Sequence, residues 1–352
     1  MAVKYIEERN KKTFALLDEA KKALPGFCNR FFLGISQVTA PLTRLNYAYD
    51  LKLFFEFLIT EVTDFVEAEK KMSNFDIPDL GRVDVLHLEM FIDYLAMRGN
   101  NERAIMRKLS CLRTFFKYFF KKGEIKSNVL PNVDLPKLHE KSIIRLDRDE
   151  VAKIIKESSD GDGLTKGQRR FHSKLNMRDT AILTFFLSTG VRVSELVGLN
   201  VGDIDLNKGS FRVTRKGGNE SVLYMTEELK TIMNEYMKGD TSEASAIEGL
   251  ADNSPNAPLF VSLQGTRIGV RAVQNLVKKY AALASPLKKI SPHKLRSTFG
   301  TNLYRATGDI YVVADVLGHR DVNTTKKHYA AMDEDIRKQA AKQLGNLSNT
   351  PQ

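Results

Sequence analysis

Residues 101–122 have the sequence NERAIMRKLSCLRTFFKYFFKK, and its spacing decides the fold class of the N-terminal half. The apolar residues recur at intervals of four and three, which is the period of one face of an α-helix. The opposite face carries only basic or hydroxyl side chains at similar intervals. The apolar stripe comprises Ile105, Leu109, Leu112, Phe116 and Phe119, and the polar stripe comprises Arg103, Arg107, Ser110, Thr114, Lys117 and Lys121.

The polar stripe favours a helix that contacts phosphates. From Asn101 to Lys126 there are eight Lys or Arg residues and only two acids, Glu102 and Glu124. A solvated helix usually alternates Glu with Lys for mutual support, so the shortage of acids favours a DNA-binding face. A merely solvated face remains the alternative. The DNA-facing candidates are Arg44, Arg103, Arg107, Lys108, Lys117 and Lys121.

Composition places the chain among folded proteins with an anionic partner. Its 352 residues include 54 Lys and Arg against 43 Asp and Glu, a formal net charge of +11. This length predicts two or three domains, and 42% hydrophobic residues exclude a disordered chain. The positive excess points to a polyanion, with nucleic acid as the leading candidate.

The absence of paired cysteines and of long apolar segments indicates the cellular compartment. Cys28 and Cys111 are isolated, which excludes a disulfide scaffold and a zinc site built from paired cysteines. No apolar run approaches the ~18 residues that span a bilayer, and the charged N-terminus lacks the apolar centre of a signal peptide. We expect a cytoplasmic protein without membrane insertion.

Helical patterns dominate the chain. Residues 1–30 look like a charged amphipathic helix that ends at Pro25-Gly26, and helices follow from Pro41 to about Phe120. Residues 127–146 carry two prolines and no clear period, which is typical of a linker. Residues 210–225 alternate and break at Gly217-Gly218, which predicts a β-hairpin. The fold class is therefore mainly α with a small β-sheet.

Two signatures of the C-terminal half place a cation at a turn. TGVRVSEL, residues 189–196, puts Arg192 between one helix that ends at Gly190 and the next helix N-terminus, where anions bind. The alternative is a plain pair between Arg192 and Glu195. In RKGG, residues 215–218, Lys216 at a hairpin tip is either simply exposed or a proton donor.

Two further signatures contain histidine. HKLR, residues 293–296, puts His293 and Arg296 on one helix face without an acid nearby, which suits an anionic oxygen. An ordinary basic helix N-terminus is the alternative. LGH, residues 317–319, is followed ten residues after His319 by Tyr329, although a lone tyrosine is more often part of a core.

Taken in order, these signatures resemble those of the tyrosine recombinases, the integrase-type site-specific recombinases. TGVRVSEL resembles the first arginine box, HKLRSTFGTNL the H-x-x-R box, and LGH with its tyrosine the third box; the lysine hairpin lies between the first and second. The resemblance covers residues 41–335 and is strongest to the Xer subgroup. VTRKGG is especially similar to the single-protein Xer recombinases of streptococci.

The sequence departs from the family pattern at two places. Residues 1–30 and 156–176 exceed the shortest Xer proteins. The hairpin reads RKGGNE where many members have GKGNKE, so that Lys216 is the best match for the family lysine while Arg215 competes for that role.

The resemblance implies a two-domain DNA clamp made of a helical core-binding domain and a mixed α/β catalytic domain. The implied domains are an extension at 1–30, a core-binding domain at 31–130, a linker at 131–146, a catalytic domain at 147–335 and a C-terminal helix and tail at 336–352. In this family the last helix packs on a neighbouring subunit, a role that Asp333–Leu344 would fill here; a helix folded back on its own domain is the alternative.

The resemblance also implies strand exchange through a 3′-phosphotyrosyl intermediate, with Tyr329 as the nucleophile. Arg192, Arg296 and His319 would bind the phosphate oxygens, Lys216 would protonate the leaving 5′-oxygen, and His293 would take the tyrosine proton. Glu195 would orient Arg192. No cofactor is expected, because these cations supply the charge of a metal and the covalent link conserves the bond energy that ATP would otherwise supply.

The implied partners are double-stranded DNA with a specific recombination site and the other subunits of a homotetramer on two such sites, with an accessory or translocase protein as a further candidate. The implied role is resolution of chromosome or plasmid dimers through a Holliday junction. Integration or excision of a mobile element uses the same chemistry and remains the alternative. A type IB topoisomerase and a non-catalytic DNA-binding protein are less favoured, because the N-terminal half is Xer-like and every box is intact.

Overall fold

The computed structural model describes residues 2–137, 144–215, 218–238, 254–319 and 321–322. The chain divides into two compact units. The N-terminal unit comprises Ile6–Lys141, and the C-terminal unit comprises Ser142–Gln352 together with Met1–Tyr5. Within these described ranges the fold is mainly helical with one small antiparallel sheet, which confirms the predicted fold class. The bounds predicted for five separate domains stay predictions.

Helices form the first half of the chain. The apolar stripe of residues 101–122 is buried as expected, and the helix begins where Asn101 Oδ1 accepts from Ala104 N–H at 3.0 Å. The helices are α1 Ala2–Lys22, α2 Cys28–Gly34, α3 Pro41–Glu61, α4 Thr63–Glu67, α5 Ile77–Arg82, α6 Val85–Met97 and α7 Glu102–Lys121.

Phenylalanine rings fill the core of the N-terminal unit. Phe54 and Phe91 meet edge to face with centroids 5.1 Å apart, and Phe31 meets Phe115 in the same way at 5.0 Å. Both cysteines are free and buried in this core. Burial raises the pKa of the Cys28 thiol.

The same core takes residues from outside the helical region predicted at 41–120. Leu17 and Leu24 of the segment predicted as an extension are buried in it, and so is Val133 of the segment predicted as a linker. Apolar burial of this kind joins those three residues to the N-terminal unit.

The C-terminal unit is organised around one long helix, α10, which packs against α8, α12 and α14. Its helices are α8 Arg148–Asp160, α9 Lys166–Arg169, α10 His172–Thr189, α11 Val193–Gly198, α12 Glu227–Lys238, α13 Val270–Ala284, α14 Pro292–Thr307 and α15 Ile310–Leu317. Leu183, Phe185 and Phe186 of α10 are fully buried, which fixes this helix as the centre of the unit.

The apolar pattern predicts a helix from Met177 to Leu187, whereas α10 begins at His172, which lies beside a buried polar cluster. Asp179 Oδ2 accepts from Lys279 Nζ at 3.1 Å and from the Tyr280 hydroxyl at 3.0 Å, while Asp179 Oδ1 accepts from Arg178. His172 Nε2 lies 3.0 Å from Ser159 O. Lys279 and Tyr280 lie 100 and 101 positions from Asp179 in the chain, so the helical period alone did not mark the start.

The sheet has three short antiparallel strands in the order β1-β2-β3. The strands are β1 Ile204–Asp205, β2 Ser210–Thr214 and β3 Glu220–Tyr224. The β2–β3 pair is the predicted hairpin, and Thr214 pairs with Glu220 at its tip. Strand β1 was not predicted, because two residues are too short to show alternation.

Candidate active site

Gly190 ends α10 and brings three elements together. Its φ of 62° is left-handed, and a Cβ atom there would lie 2.3 Å from Phe299 Cδ1 and 2.9 Å from Leu317 Cδ2. Glycine is therefore required both for the backbone conformation and for the close approach of α14 and α15. The chain turns at this residue and reaches Arg192 at the N-terminus of α11, as predicted.

Arg192 and Glu195 are joined twice. The Arg192 backbone N–H donates to Glu195 Oε2 at 2.8 Å, and Arg192 Nη1 donates to Glu195 Oε1 at 2.8 Å. The Glu195 side chain is 2% exposed. Because both bonds use one buried carboxylate, they fix the guanidinium relative to its own backbone.

Arg296 lies on α14 with 4% of its surface exposed. Its Nη1 atom donates to Gly190 O at 2.6 Å, and its Nη2 atom donates to Leu317 O. One guanidinium thus links the end of α10 to the end of α15. A buried arginine held in this way is oriented before any ligand arrives.

The last carbonyls of α15 form a common acceptor for three arginines. Residues 316–318, called here the three-carbonyl turn, lie at a helix C-terminus, where the backbone dipole stabilises positive charge. Three consecutive carbonyl groups each accept from an arginine of a different element. The pairs are Arg215 with Val316 at 2.8 Å, Arg296 with Leu317, and Arg192 with Gly318 at 3.2 Å.

Arg215 is a member of this cluster that the sequence identified only as a competitor of Lys216. Its Nη1 atom donates to Glu195 Oε2 at 3.3 Å, so it shares a carboxylate with Arg192. Burial lowers the pKa of the Arg215 guanidinium; Arg192 adds to that shift and Glu195 opposes it. The RKGG sequence of residues 215–218, where many family members have GKGN, was the only feature of the sequence that drew attention to Arg215.

The two histidine candidates lie on different elements. His319 follows the three-carbonyl turn and is half-buried, and its backbone N–H donates to Ala314 O at 2.9 Å. Gly318 adopts a φ of 61°, which confirms the predicted glycine at the end of a helix. His293 is exposed in the first turn of α14, after Pro292.

Three predictions lie outside the described residues. These are the proton donor Lys216, the nucleophile Tyr329 and the C-terminal helix Asp333–Leu344. The structure therefore brings together Arg192, Glu195 and Arg296, with His319 directly after the turn that they bind, whereas the positions of the other two catalytic candidates stay predictions.

The DNA-facing candidates of α7 differ in their surroundings. Arg103, Lys117 and Lys121 are exposed on the predicted stripe. Lys108 lies off that stripe, about 140° around the helix from Arg103, and its Nζ atom donates to Asn100 Oδ1 at 3.1 Å. Arg44 is half-buried, and its guanidinium lies 5.3 Å from the Phe14 ring centroid.

Arg107 has a buried partner that the sequence did not reveal. Its Nη1 and Nη2 atoms donate to the two carboxylate oxygens of Asp50 at 2.5 and 2.7 Å. Asp50 is 4% exposed, while about half of the Arg107 side chain is exposed. Fifty-seven positions separate the two residues, and no local pattern connects them.

The phage integrase family matches residues 144–335 of the chain, which is more than half of its length. The chain belongs to the phage integrase family. It is 33% identical over 289 residues to the tyrosine recombinase XerC of Syntrophus aciditrophicus, covering 82% of this chain and 86% of that protein. It is 34% identical over 323 residues to XerC of Caldanaerobacter subterraneus subsp. tengcongensis, covering 89% and 85%. These matches confirm a tyrosine recombinase of Xer type, while the streptococcal subgroup stays a prediction.

Solved structures of recombinases share the fold of this recombinase. XerH bound to its difH substrate in a pre-cleavage complex has a TM-score of 0.60 and 20% identity, covering 82% of this chain and 77% of that chain. A lambda integrase dimer bound to a COC′ core site has a TM-score of 0.57 and 16% identity, covering 90% and 76%. At these identities the likeness concerns the fold.

Two features are absent from the described residues. No helix among them is long and apolar enough to cross a membrane. In the same part of the chain, no group of three or more His, Cys, Asp or Glu side chains is placed to hold a metal ion.

Proposed function

We propose that this recombinase cleaves and rejoins DNA strands at a specific site through a 3′-phosphotyrosyl intermediate and a Holliday junction. The observation that carries the proposal is the convergence of Arg192 and Arg296 on adjacent carbonyl groups, those of Gly318 and Leu317, directly before His319. Two fixed guanidinium groups match the negative charge that a phosphate gains at its non-bridging oxygens during attack.

In the proposed reaction the Tyr329 hydroxyl oxygen attacks phosphorus. The bond between phosphorus and the tyrosine oxygen forms, and the bond from phosphorus to the 5′-oxygen breaks. Lys216 donates a proton to that 5′-oxygen, and His293 accepts the proton of the tyrosine. A 5′-hydroxyl of the partner strand then reverses the step, so the number of phosphodiester bonds is conserved.

Preorganisation is the part of this chemistry that the described residues supply. Arg192 is bound to Glu195 and Gly318, and Arg296 is bound to Gly190 and Leu317, so neither side chain must be ordered when DNA binds. Donors that are already oriented stabilise a transition state without a further cost of reorganisation. His319 is the proposed third donor to the phosphate oxygens.

The proposed substrate is duplex DNA, held in part by α7. Arg103, Arg107, Lys117 and Lys121 are the proposed contacts to phosphates, because they form one basic stripe. The proposed assembly is a homotetramer on two DNA sites. We also propose an accessory or translocase protein as a partner, and we assign it no contact surface on the described residues.

Resolution of chromosome or plasmid dimers is the proposed role, and the extent of similarity to the XerC proteins supports it. Integration or excision of a mobile element is the alternative. The position of the gene distinguishes them: a lone gene beside a recombination site indicates dimer resolution, and a gene inside a transposon or prophage indicates the alternative.

A trapping experiment tests the proposed chemistry. The wild-type full chain first selects a binding site from a randomised duplex pool, and that site is then rebuilt with a nick that lets the short cleaved fragment diffuse away. The expected product is a covalent protein–DNA complex that resists denaturant. Absence of any such complex with the selected site contradicts the proposal.

A further inference from the structure

We propose that Arg215 is a positioning residue that ties the β2–β3 hairpin to Glu195 and to the three-carbonyl turn. The inference rests on the proposed function, because it concerns delivery of the Lys216 proton to the leaving 5′-oxygen. Arg215 stands directly before Lys216 in the chain.

The main chain of Arg215 closes the tip of the hairpin. Its N–H donates to Asn219 O at 2.7 Å, and its C=O accepts from Gly218 N–H at 3.0 Å. These two bonds fix the backbone of Arg215 against the residues at which the described chain resumes, Gly218 and Asn219. The position of Arg215 therefore sets where the chain enters the segment that contains the lysine.

The side chain of Arg215 fixes that position against another part of the fold. Nη2 donates to Val316 O at 2.8 Å, and the carbonyl belongs to a helix 101 residues away in the chain. A Cβ atom on Gly318 would lie 3.0 Å from both Cζ and Nε of Arg215, so the guanidinium lies directly on the glycine backbone. The contact joins the hairpin to the turn that precedes His319.

One carboxylate connects Arg215 to Arg192. Glu195 Oε2 accepts from Arg215 Nη1 at 3.3 Å and from the Arg192 backbone N–H, while Oε1 accepts from Arg192 Nη1. Since Glu195 is buried, it holds the two arginines in a fixed relation. The base of the proton-donating hairpin and the proposed phosphate-binding arginine are thus aligned by the same group.

These contacts also separate the roles of Arg215 and Lys216. The Arg215 side chain is only 10% exposed, and its terminal nitrogens are directed at Val316 and Glu195. Its Nε atom is buried and has no hydrogen-bond partner within the described part of the chain. A guanidinium enclosed in this way positions the hairpin. Lys216 is then the residue that protonates the leaving 5′-oxygen.

The test compares two leaving groups on the selected, nicked duplex. One duplex has the ordinary 5′-oxygen at the cleaved bond, and the other has a bridging 5′-sulfur. A thiolate leaves without a proton because the pKa of a thiol is about 8.5, so cleavage of the sulfur duplex does not require Lys216. The ratio of the two rates within one protein preparation is independent of the fraction that is folded.

The variants are Arg215→Lys, which keeps the charge but loses the planar fork, and Arg215→Gln. We expect both to slow cleavage of the oxygen duplex by about 10²-fold, with the sulfur duplex within about 3-fold of wild type. Lys216→Ala should show the largest ratio of sulfur to oxygen rates. Arg212→Ala is the matched control, since Arg212 lies on the same strand with 58% exposure, and both of its rates should equal those of wild type.

A ratio equal to that of wild type in both Arg215 variants would overturn the inference. If both rates fell together, Arg215 would act through Arg192 or through folding. If neither rate changed, Arg215 would have no part in cleavage. Failure of the proposed function has a different signature, in which the wild-type chain cleaves neither duplex.

Discussion

Arg192 and Glu195 are joined through both the backbone and the side chain of the arginine, with each of the two bonds at 2.8 Å. The carboxylate also accepts from Arg215, so it carries one negative charge between two guanidinium groups. The pair with Glu195, the alternative interpretation of the TGVRVSEL signature, is therefore present, and the role of Arg192 in binding phosphate stays a prediction. The pair is the means by which the proposed phosphate-binding arginine keeps its direction.

Glu195→Gln should therefore slow DNA cleavage more than it weakens DNA binding. Glutamine keeps the shape of the side chain but removes the charge, so that Arg192 is held less firmly. We expect cleavage of the nicked duplex to slow by about 10²-fold, the loss typical of a group displaced by about 1 Å. Single-turnover rates and binding curves measure the two effects, and Glu220→Gln, on an exposed pair with Arg212, is the control. Equal rates for both variants would contradict the account.

Gly190→Ala should destabilise the C-terminal unit by about 3 kcal/mol or more, since it combines backbone strain with overpacking against Phe299 and Leu317. Gly308→Ala separates the two effects. Gly308 has a similar φ of 66°, but a Cβ atom there meets nothing within 4 Å, so strain of about 1 kcal/mol is expected alone. Urea unfolding of the two variants gives the difference, and equal losses would show that the close contact is unimportant.

The sequence predicted those features that depend on neighbouring residues. The stripe from Ile105 to Phe119 and the glycine at Gly318 follow from helical period and from capping chemistry. Their bounds were accurate because side chains such as Asn101 mark the helix end directly.

Features that depend on distant residues were beyond the sequence. Asp50 gave no sign that it would hold Arg107, and Arg215 gave no sign that it would reach Val316, because each pair is joined only by the tertiary fold. The start of α10 at His172 was missed for the same reason. The family resemblance supplied the roles of the catalytic candidates, and those roles stay predictions.

Arg107→Ala should destabilise the N-terminal unit by about 3–5 kcal/mol, because it leaves the buried Asp50 carboxylate without its partner. Arg103→Ala removes an exposed charge from the same stripe and should change the free energy of unfolding by less than about 0.5 kcal/mol. Adding Asp50→Asn to Arg107→Ala should restore part of the loss. Urea unfolding measures all three variants, and a similar stability for the two alanine variants would contradict the assignment.

Lys117→Ala should act on DNA binding without affecting stability. Lys117 is exposed on the same stripe, so its loss should weaken binding to all sequences and reduce the salt slope of the binding constant by about one unit. Titrations at several salt concentrations provide the test. An unchanged slope would remove Lys117 from the DNA-binding face.

The start of α8 should lose stability in acid. Burial alone would raise the pKa of Glu150, but hydrogen bonds from Lys288 Nζ at 2.6 Å and Ser285 Oγ at 2.7 Å lower it. A carboxylate with a lowered pKa stabilises the fold above its ordinary pKa, and the contribution disappears as the pH falls through the lowered value. We expect Glu150→Gln to lower the urea midpoint at pH 7 by the equivalent of at most about 1 kcal/mol, and this difference from wild type should shrink as the pH falls through the lowered pKa.

Asp149→Asn is the control for that measurement, because Asp149 is exposed in the same helical turn. At alkaline pH the same pair loses its stabilising contribution as the pH rises, which is the opposite direction. The hydrogen bond to Glu150 raises the pKa of Lys288, so the contribution of the pair persists below the ordinary lysine pKa and is lost as the pH rises through the raised value. A difference between wild type and Glu150→Gln that does not change with pH would contradict the pairing.

The central claim is that Tyr329 forms the covalent bond to DNA, and one measurement tests it most directly. The covalent complex trapped on the selected, nicked duplex is digested, and the peptide that carries the nucleotide is identified by mass spectrometry. The account predicts a 3′-phosphate attached to Tyr329 in the wild-type chain and no adduct with Tyr329→Phe. An adduct on another residue, or an adduct that persists in Tyr329→Phe, would contradict it.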